Sequence, residues 1–291
     1  MTVASHRAVT RPARSPVALP AVARGADEVA ALLEDAAHLS GGHASGVAHP
    51  STEGEVAALL REPVTVLPIG AQSSVTGGAT PMGELLLSTA ALRRIGPVTA
   101  DERGPANRRG QGTVRVQAGV SIADLEASLN ASGWTFPPAP TWTAATVGGI
   151  VATNAAGPAT FKHGVTRDWV AGLTVVLPGG DVLDAVRGKV VASPAGLLEL
   201  ATPDRLVTLH IPSLAWPDVP KRSAGYALAE GMDLVDLFVG AEGTLGVVTE
   251  VSLRVARRTA ARVRAMVPCA SEAAALALVA RLRADSHETW R

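Results

Sequence analysis

Residues 64–81, with the sequence VTVLPIGAQSSVTGGATP, decide how this chain folds and what it binds. The stretch opens with an apolar run bounded by proline and glycine, which is typical of a buried strand that leads into a tight loop. Nearly all side chains of the loop, residues 69–77, are small or hydroxylated, so a ligand can approach its backbone closely. Converging backbone N–H groups bind anions, and Ser73, Ser74 and Thr76 add hydroxyl donors. The stretch therefore predicts a cradle for a diphosphate.

Two commoner nucleotide motifs are excluded. A P-loop requires a lysine after its second glycine, and residues 64–81 contain no lysine. A Rossmann fingerprint requires G-x-G-x-x-G, whereas the loop offers only Gly70, Gly77 and Gly78. Taken alone, the stretch leaves open an ordinary surface loop between two strands.

Composition restricts the class of protein. Hydrophobic residues make up 47% of the 291, which is typical of a globular chain that holds one large domain or two smaller ones. The 26 basic residues balance the 26 acidic ones, so no nucleic-acid partner is expected. No apolar run is long enough for a membrane span. The single cysteine, Cys269, excludes an intramolecular disulfide, fits a reducing compartment and is expected to be a buried apolar residue. We predict a cytoplasmic location.

The N-terminal segment, residues 1–24, has four arginines, three prolines and no acidic residue. It lacks the apolar core of a secretory signal, and its prolines would break the amphipathic helix of a transit peptide. We therefore predict a disordered tail. Metal and nucleophile motifs are also lacking in the sequence: the seven histidines show no metal-ligand spacing, and no G-x-S-x-G elbow occurs. No metal site is predicted.

Hydrophobic periodicity predicts the regular elements. Helices are expected at residues 27–33 and 53–60 and after Ser121 and Ser271, and strands at residues 84–88, 113–118, 173–177, 182–186, 247–255 and 262–267. Ser51 and Thr52 are possible caps of the helix at residues 53–60, whereas Ser121 should cap the helix that follows it and Gly133 should end that helix. Residues 101–112 are expected to form a loop, and residues 137–140 to be held extended by prolines.

A second informative stretch is residues 146–157, TVGGIVATNAAG. Gly148 and Gly149 allow close packing, and Asn154 offers both a donor and an acceptor. A helix of small residues packed against a sheet is the alternative interpretation.

Residues 236–250, DLFVGAEGTLGVVTE, are a third stretch. Their glycines imitate a dinucleotide fingerprint, but a strand follows them where a Rossmann helix should begin, so that interpretation is excluded. Residues 221–226, KRSAGY, contain the only tyrosine and predict little alone.

Together and in this order, the stretches resemble the FAD-binding domain of the vanillyl-alcohol oxidase and para-cresol methylhydroxylase (PCMH) type. The nearest resemblance is to glycolate oxidase FAD-linked subunits and FAD-linked D-lactate dehydrogenases, from about residue 47 to residue 255. It implies an α+β fold in which two subdomains, at about residues 25–97 and 98–257, hold FAD between them. Residues 258–291 would be the start of a cap domain.

The resemblance also implies which residues bind the cofactor. Residues 221–226 correspond to the family's K-x-x-x-G-Y segment, and residues 161–168 to its K-Y-G segment, with His163 in place of tyrosine. The cofactor-binding residues would be Ile69, Gly70, Ala71, Gln72, Ser73, Ser74, Gly77, Pro140, Thr141, Thr146, Gly148, Gly149, Ala152, Asn154, Gly157, Arg167, Lys221, Gly246, Val247 and Val248.

Two departures from the family pattern bear on the cofactor. Ala71 and Gln72 stand where glycines are common, so the diphosphate loop is expected to be tighter or to have a different backbone shape. No histidine or cysteine lies in residues 69–77, so FAD is expected to be bound tightly but not covalently.

The implied function is oxidation of a 2-hydroxy acid of the D-lactate or glycolate type by hydride transfer to flavin N5, with electrons passing to an unidentified acceptor. Family members bind the acid in their cap domain, of which only the start is recognisable, so no catalytic residue is assigned. The chain is expected to be shortened, or to need a partner chain that completes the substrate site. Two alternatives are a non-catalytic FAD-binding fragment or subunit, and a non-redox flavoprotein similar to alkyl-dihydroxyacetone-phosphate synthase.

Overall fold

The computed structural model describes residues 4–101, 112–212, 214, 219, 223, 225–259 and 265–289. The strands are β1 (Arg7–Arg11), β2 (Val22–Ala23), β3 (Gly46–Ala48), β4 (Val66–Ile69), β5 (Leu85–Ser88), β6 (Thr99–Ala100), β7 (Gly112–Gln117), β8 (Trp134–Thr135), β9 (Val170–Val176), β10 (Val182–Val186), β11 (Leu197–Ala201), β12 (Leu206–His210) and β13 (Val247–Arg257). The α-helices are α1 (Ala26–Ala30), α2 (Glu53–Leu59), α3 (Ile122–Ala131), α4 (Val147–Ala152), α5 (Thr160–His163), α6 (Leu234–Phe238) and α7 (Glu272–Thr289). These elements form the predicted α+β fold.

The smaller sheet has the strand order β2–β3–β5–β4, with β3, β5 and β4 parallel. Every residue of β5 is buried, as expected for a strand covered on both faces. The strand predicted before the cradle exists but is shifted along the chain, and it includes Pro68. Proline is tolerated there because β4 is an edge strand, where its missing N–H needs no partner.

The larger sheet has the order β12–β11–β1–β10–β9–β13–β7–β6, with β8 paired to the end of β13. Buried and partly exposed residues alternate along β13, which confirms the alternation predicted for residues 247–255. The predicted hairpin of β9 and β10 is also confirmed, since Val182 pairs with Val176 in antiparallel register.

The disordered tail predicted for residues 1–24 is wrong for Arg7–Arg11, which forms β1 between β11 and β10. Arg11 donates to both carboxylate oxygens of Glu53, at 2.8 and 2.9 Å, and to Asp184 at 2.6 Å. Burial by itself raises the pKa of each carboxyl, but the hydrogen bonds and charge of Arg11, together with contributions from Arg14 and, for Asp184, Thr174, outweigh it and lower the pKa of both Glu53 and Asp184. Arg11 thus links α2, through Glu53, to β10 of the larger sheet, through Asp184.

An apolar cluster joins the two sheets. Its buried residues come from α2 and the smaller sheet on one side and from β9, β10 and β13 on the other: Ala48, Val56, Ala57, Leu59, Leu85, Leu87, Val176, Val182 and Val247. This packing sets the carboxyl end of the smaller parallel sheet beside the start of β13. The domain boundaries at about residues 97 and 257 stay predictions.

The predicted caps are confirmed. The Thr52 hydroxyl accepts from the Glu55 N–H at 3.1 Å, and the Ser121 hydroxyl accepts from the Asp124 N–H at 3.0 Å. Gly133 follows α3 with φ +78°, a conformation that favours glycine. Helix α1 is shorter than predicted.

Two predicted loops have different outcomes. The segment at residues 137–140 is not extended throughout, because the Ala139 N–H closes a turn onto the Phe136 carbonyl at 3.3 Å. Most of the loop predicted at residues 101–112 lies outside the described residues.

The C-terminal segment differs from its prediction. Helix α7 is present, but residues 265–267 are not a strand, and the rest of that predicted strand lies outside the described residues. Met266 is 97% exposed, and Leu276, Val279 and Leu282 on α7 are also exposed. Cys269 is exposed rather than buried. Among the helices that the structure describes, none combines the length and the apolarity needed to cross a membrane.

Candidate functional site

A cavity of about 410 Å³ lies where the carboxyl ends of β4 and β5 meet the first residues of β13. Ligands of parallel α/β sheets commonly bind at this edge of the sheet. Most of the predicted cofactor-binding residues line it: Ile69, Gly70, Ala71, Gln72, Ser73, Ser74, Pro140, Thr146, Gly148, Gly149, Ala152, Asn154, Gly246, Val247 and Val248.

Five predicted residues are not among those that line the cavity. Lys221 lies outside the described residues. Gly157 packs against the backbone, since a Cβ added there would lie 2.0 Å from the Ala139 carbonyl oxygen. Gly77 takes the left-handed conformation with φ +79° in the turn that ends the cradle, and Thr141 is exposed. Arg167 lies behind the wall of the cavity.

The cradle loop follows β4, and its backbone is available to a ligand. Within the described part of the chain, the N–H groups of residues 71–75 donate no hydrogen bond, although all five residues line the cavity. Successive free N–H groups in a concave loop attract an anion. This is the arrangement that a diphosphate requires.

Gln72 explains how the loop functions without the usual glycine. Its backbone adopts φ +47°, which costs a non-glycine residue about 1–2 kcal/mol. Its side-chain amide donates to the backbone carbonyls of Leu32 at 2.8 Å and Ala79 at 2.9 Å. The backbone carbonyl of Gln72 accepts from the Ala36 N–H at 2.9 Å. These bonds offset the strain and close the loop, and the tighter or differently shaped loop expected from Ala71 and Gln72 stays a prediction.

The cradle contacts the second stretch through Gly70. A Cβ added to Gly70 would lie 2.4 Å from Thr146 Oγ1, so any larger residue at this crossing would force the Thr146 hydroxyl to move. Thr146 caps α4 by accepting from the Gly149 N–H at 3.3 Å. Gly148 also lies against the residue that follows β7, because its backbone N–H donates to the Ala118 carbonyl at 2.8 Å. The small residues of this stretch therefore do pack against a sheet, and they also face the cavity.

The third stretch joins the same wall. The N–H groups of Gly240 and Glu242 donate to the carbonyls of Val151 at 3.0 Å and Ala152 at 2.9 Å, which satisfies the end of α4. Gly243 approaches β4 so closely that an added Cβ would lie 2.6 Å from Pro68 Cγ. Three segments that are distant in sequence thus converge on one cavity.

A buried polar cluster supports this wall. Asn154 is fully buried, and its side-chain oxygen accepts from the Arg167 N–H at 2.9 Å. The Arg167 guanidinium donates to the carbonyls of Asp236 and Val239, while Arg187 donates to both carboxylate oxygens of Asp236 at 2.8 and 3.0 Å. Burial lowers the pKa of Arg167, whereas the bonds to Asp236 outweigh burial and raise the pKa of Arg187.

Sequence reasoning missed several residues of the cavity wall, among them Trp142, Phe238, Glu242 and Gly243. Glu242 carries a signal that was available, since it lies in the G-x-E-G run of the third stretch. It adopts φ +49° and is the only ionisable residue among the described residues that line the cavity. Trp142 and Phe238 have no distinguishing pattern in the sequence.

The residues present fit FAD. Small side chains leave the backbone open, free N–H groups and the hydroxyls of Ser73 and Ser74 suit a diphosphate, and the largely apolar wall suits planar rings. The described lining residues include no histidine or cysteine, the usual anchors of a covalent flavin. In the described part of the chain, no group of three His, Cys, Asp or Glu side chains is close enough to hold a metal.

Comparison with known proteins gives a consistent picture. Residues 44–185 match the protein family described as FAD binding domain. The chain is 33% identical to a D-lactate dehydrogenase of Anaerostipes hadrus, over 70% of this chain and 34% of that protein. It is 32% identical to glycolate oxidase subunit GlcD of Bacillus subtilis, over 66% of this chain and 32% of that protein. An alkyldihydroxyacetonephosphate synthase structure matches with a TM-score of 0.51 and 20% identity, over 76% of this chain and 33% of that one. The chain thus spans about a third of the length of the curated relatives it matches.

Proposed function

The chain contains an FAD-binding domain, and from this premise we propose that it is an oxidoreductase of the 2-hydroxy-acid type that holds FAD non-covalently in the cavity described above. The observation that carries the proposal is the convergence of three small-residue segments around a loop whose N–H groups are free. The names of the similar proteins, a D-lactate dehydrogenase and a glycolate oxidase subunit, support the choice of substrate class.

Each segment has a distinct role in this proposal. The N–H groups of residues 71–75 and the hydroxyls of Ser73 and Ser74 bind the diphosphate. Gly148, Gly149 and Ala152 offer a surface without long side chains, so a planar ring can lie against α4. The backbone at residues 246–248 approaches the cofactor from the start of β13.

Bound FAD would supply the redox chemistry by accepting a hydride at flavin N5 from the carbon that bears the substrate hydroxyl. The chain's own residues orient the cofactor and exclude water from one side of it. The described lining residues include no histidine, and their only ionisable side chain is Glu242, so no base for the hydroxyl proton is assigned to this wall. We infer that the substrate site and its base come from outside this cavity wall, either from a further segment or from a partner chain. The electron acceptor is a separate molecule.

The test begins with the absorption spectrum of the purified protein, reconstituted with FAD if it is isolated colourless. A flavin spectrum that is lost to the supernatant when the polypeptide is precipitated with acid supports non-covalent binding. A precipitate that stays yellow would contradict it. A protein that takes up no FAD at all would overturn the cofactor assignment.

Activity is tested separately by anaerobic mixing with D-lactate, glycolate and longer 2-hydroxy acids, with L-lactate and the opposite enantiomers of the longer acids as controls for the chiral substrates. Bleaching of the flavin band by one of these acids is the expected result. If FAD is bound and no acid bleaches it, the activity proposal fails and the non-catalytic flavin-binding subunit becomes the better description. The likeness to the synthase structure shows the fold alone, and no residue of the cavity favours that chemistry.

A further inference from the structure

Trp142 is unusual among the three tryptophans that the structure describes. It is 63% exposed and lines the cavity, whereas Trp134 and Trp169, the other two in the described part of the chain, are 5% and 2% exposed. A tryptophan side chain is large and mostly apolar, and it is normally buried against other groups. The structure leaves this ring uncovered at the one place where a ligand is proposed to bind.

The backbone holds Trp142 firmly. The Trp142 carbonyl accepts from the Ala145 N–H at 3.2 Å, and the carbonyls of Thr143 and Ala145 accept from the first residues of α3, Ala123 and Ile122, both at 2.9 Å. The segment that carries the ring is therefore attached to a regular helix on one side and leads into α4 on the other. A backbone held this way is already ordered before a ligand packs on the Trp142 ring, so binding costs less conformational entropy than it would on a loose loop.

The surroundings favour a flat, uncharged partner. Besides Trp142, the described lining residues are mostly small or apolar, and Glu242 is the only ionisable one. A dinucleotide carries two planar aromatic systems, and stacking on an aromatic side chain is a common way for proteins to bind such rings.

We propose that Trp142 stacks on an aromatic ring of the bound dinucleotide and so forms one wall of a ring-binding subsite. This inference rests on the proposed function, because it requires FAD in the cavity. The ring is either the isoalloxazine or the adenine, and both offer the same π-face.

The test compares Trp142→Ala, Trp142→Leu and Trp142→Phe for the FAD dissociation constant of the reconstituted protein. Loss of a stacked ring costs about 5- to 150-fold in affinity, so Trp142→Ala should weaken binding by that factor. Trp142→Leu keeps apolar bulk but has no π-face and should be nearly as weak, whereas Trp142→Phe should retain most of the affinity. Leu206→Ala, which truncates a half-exposed side chain on β12 outside the cavity lining, is the matched control and should change the constant by about twofold at most.

Two further measurements, the visible absorption band and the affinity for ADP, identify which FAD ring stacks on Trp142. If it is the isoalloxazine, Trp142→Leu shifts the visible flavin absorption band and leaves the affinity for ADP unchanged. If it is the adenine, the visible band is unchanged and the affinity for ADP falls.

Equal FAD affinity for the wild type and the leucine and alanine variants would overturn the inference. A changed oligomeric state with unchanged FAD affinity would overturn it too, and would assign Trp142 to a protein interface. A wild type that binds no FAD would instead refute the proposed function itself.

Discussion

The close contact between Gly70 and Thr146 in the cavity wall predicts how much Gly70→Ala lowers the free energy of unfolding. The added Cβ would lie 2.4 Å from Thr146 Oγ1, whereas an ordinary contact between carbon and oxygen is about 3.4 Å. The hydroxyl must therefore move by about 1 Å, within a residue that is only 8% exposed and that caps α4. Overpacking of this kind costs about 1–3 kcal/mol. Gly70 has no positive φ, so alanine adds no backbone strain of its own.

A double-mutant cycle separates this clash from a general loss of stability. Thr146→Ala alone removes the cap of α4 and should cost about 1 kcal/mol. In the double variant the added Cβ faces only Thr146 Cβ, at an ordinary 3.6 Å, so the clash disappears. The double variant should therefore cost about 1 kcal/mol rather than the sum of about 3, an interaction energy of about 2 kcal/mol.

The assay is urea-induced unfolding followed by circular dichroism, analysed by linear extrapolation. Gly25→Ala is the control for the cycle, because its added Cβ would meet only the flexible end of Glu28, at 3.4 Å; it replaces the N-cap of α1 and should cost about 1 kcal/mol, and this cost should simply add to that of Thr146→Ala. Single-variant effects that add within about 0.5 kcal/mol in the double variant would show that the two residues are not in contact, and would refute the convergence of the cradle with α4.

Three other predictions test the supports of the site. Because Arg11 lowers the pKa of Glu53 and Asp184, the stability that these carboxylates contribute is present above about pH 4.5 and is lost as the pH falls through their folded pKa values. Arg11→Met should reduce this acid sensitivity when unfolding is measured from pH 7 to pH 3. An unchanged pH profile would contradict the pairing. Gln72→Ala should cost about 1–2 kcal/mol of unfolding free energy, since it leaves two backbone carbonyls without their donor, and it should weaken FAD binding. Gln72→Gly should cost less, because glycine accepts the positive φ. A glycine variant that is less stable than the alanine variant in denaturant unfolding would count against this explanation. Asp236→Asn should cost about 3 kcal/mol because it leaves two mostly buried guanidinium groups without their carboxylate, and a melting temperature equal to that of the wild type would show that the cluster is not stabilising.

The elements that follow from local chemistry were predictable from the sequence. The alternation of β13, the hairpin of β9 and β10, the Thr52 and Ser121 caps and the turn at Gly133 depend on residues within a few positions of one another. The loop of residues 69–77 was also recognisable as a loop, because it consists of small residues between an apolar run and a second glycine.

The features that were missed depend on partners far away in the sequence. Strand β1 pairs with β10 and β11, and Arg11 bonds to Asp184, 173 positions along the chain. An arginine-rich segment without acids was interpreted as a disordered tail because its acidic partners are not in the segment. Likewise, Gln72 was treated as a departure from a glycine position, since nothing nearby shows that its amide bonds to Leu32.

Sequence alone thus predicted an anion cradle, because the small side chains that leave backbone N–H groups open are visible in residues 64–81, and FAD followed from the resemblance of all the stretches taken together. Only the tertiary structure decided which residues share one wall, since that depends on how the two sheets pack through their common apolar cluster. That packing brings Gly70, Gly148 and Gly246 to one cavity, keeps Arg167 behind it and leaves Trp142 uncovered. Contacts between residues that are distant in sequence are a property of the packed chain, and no local pattern encodes them.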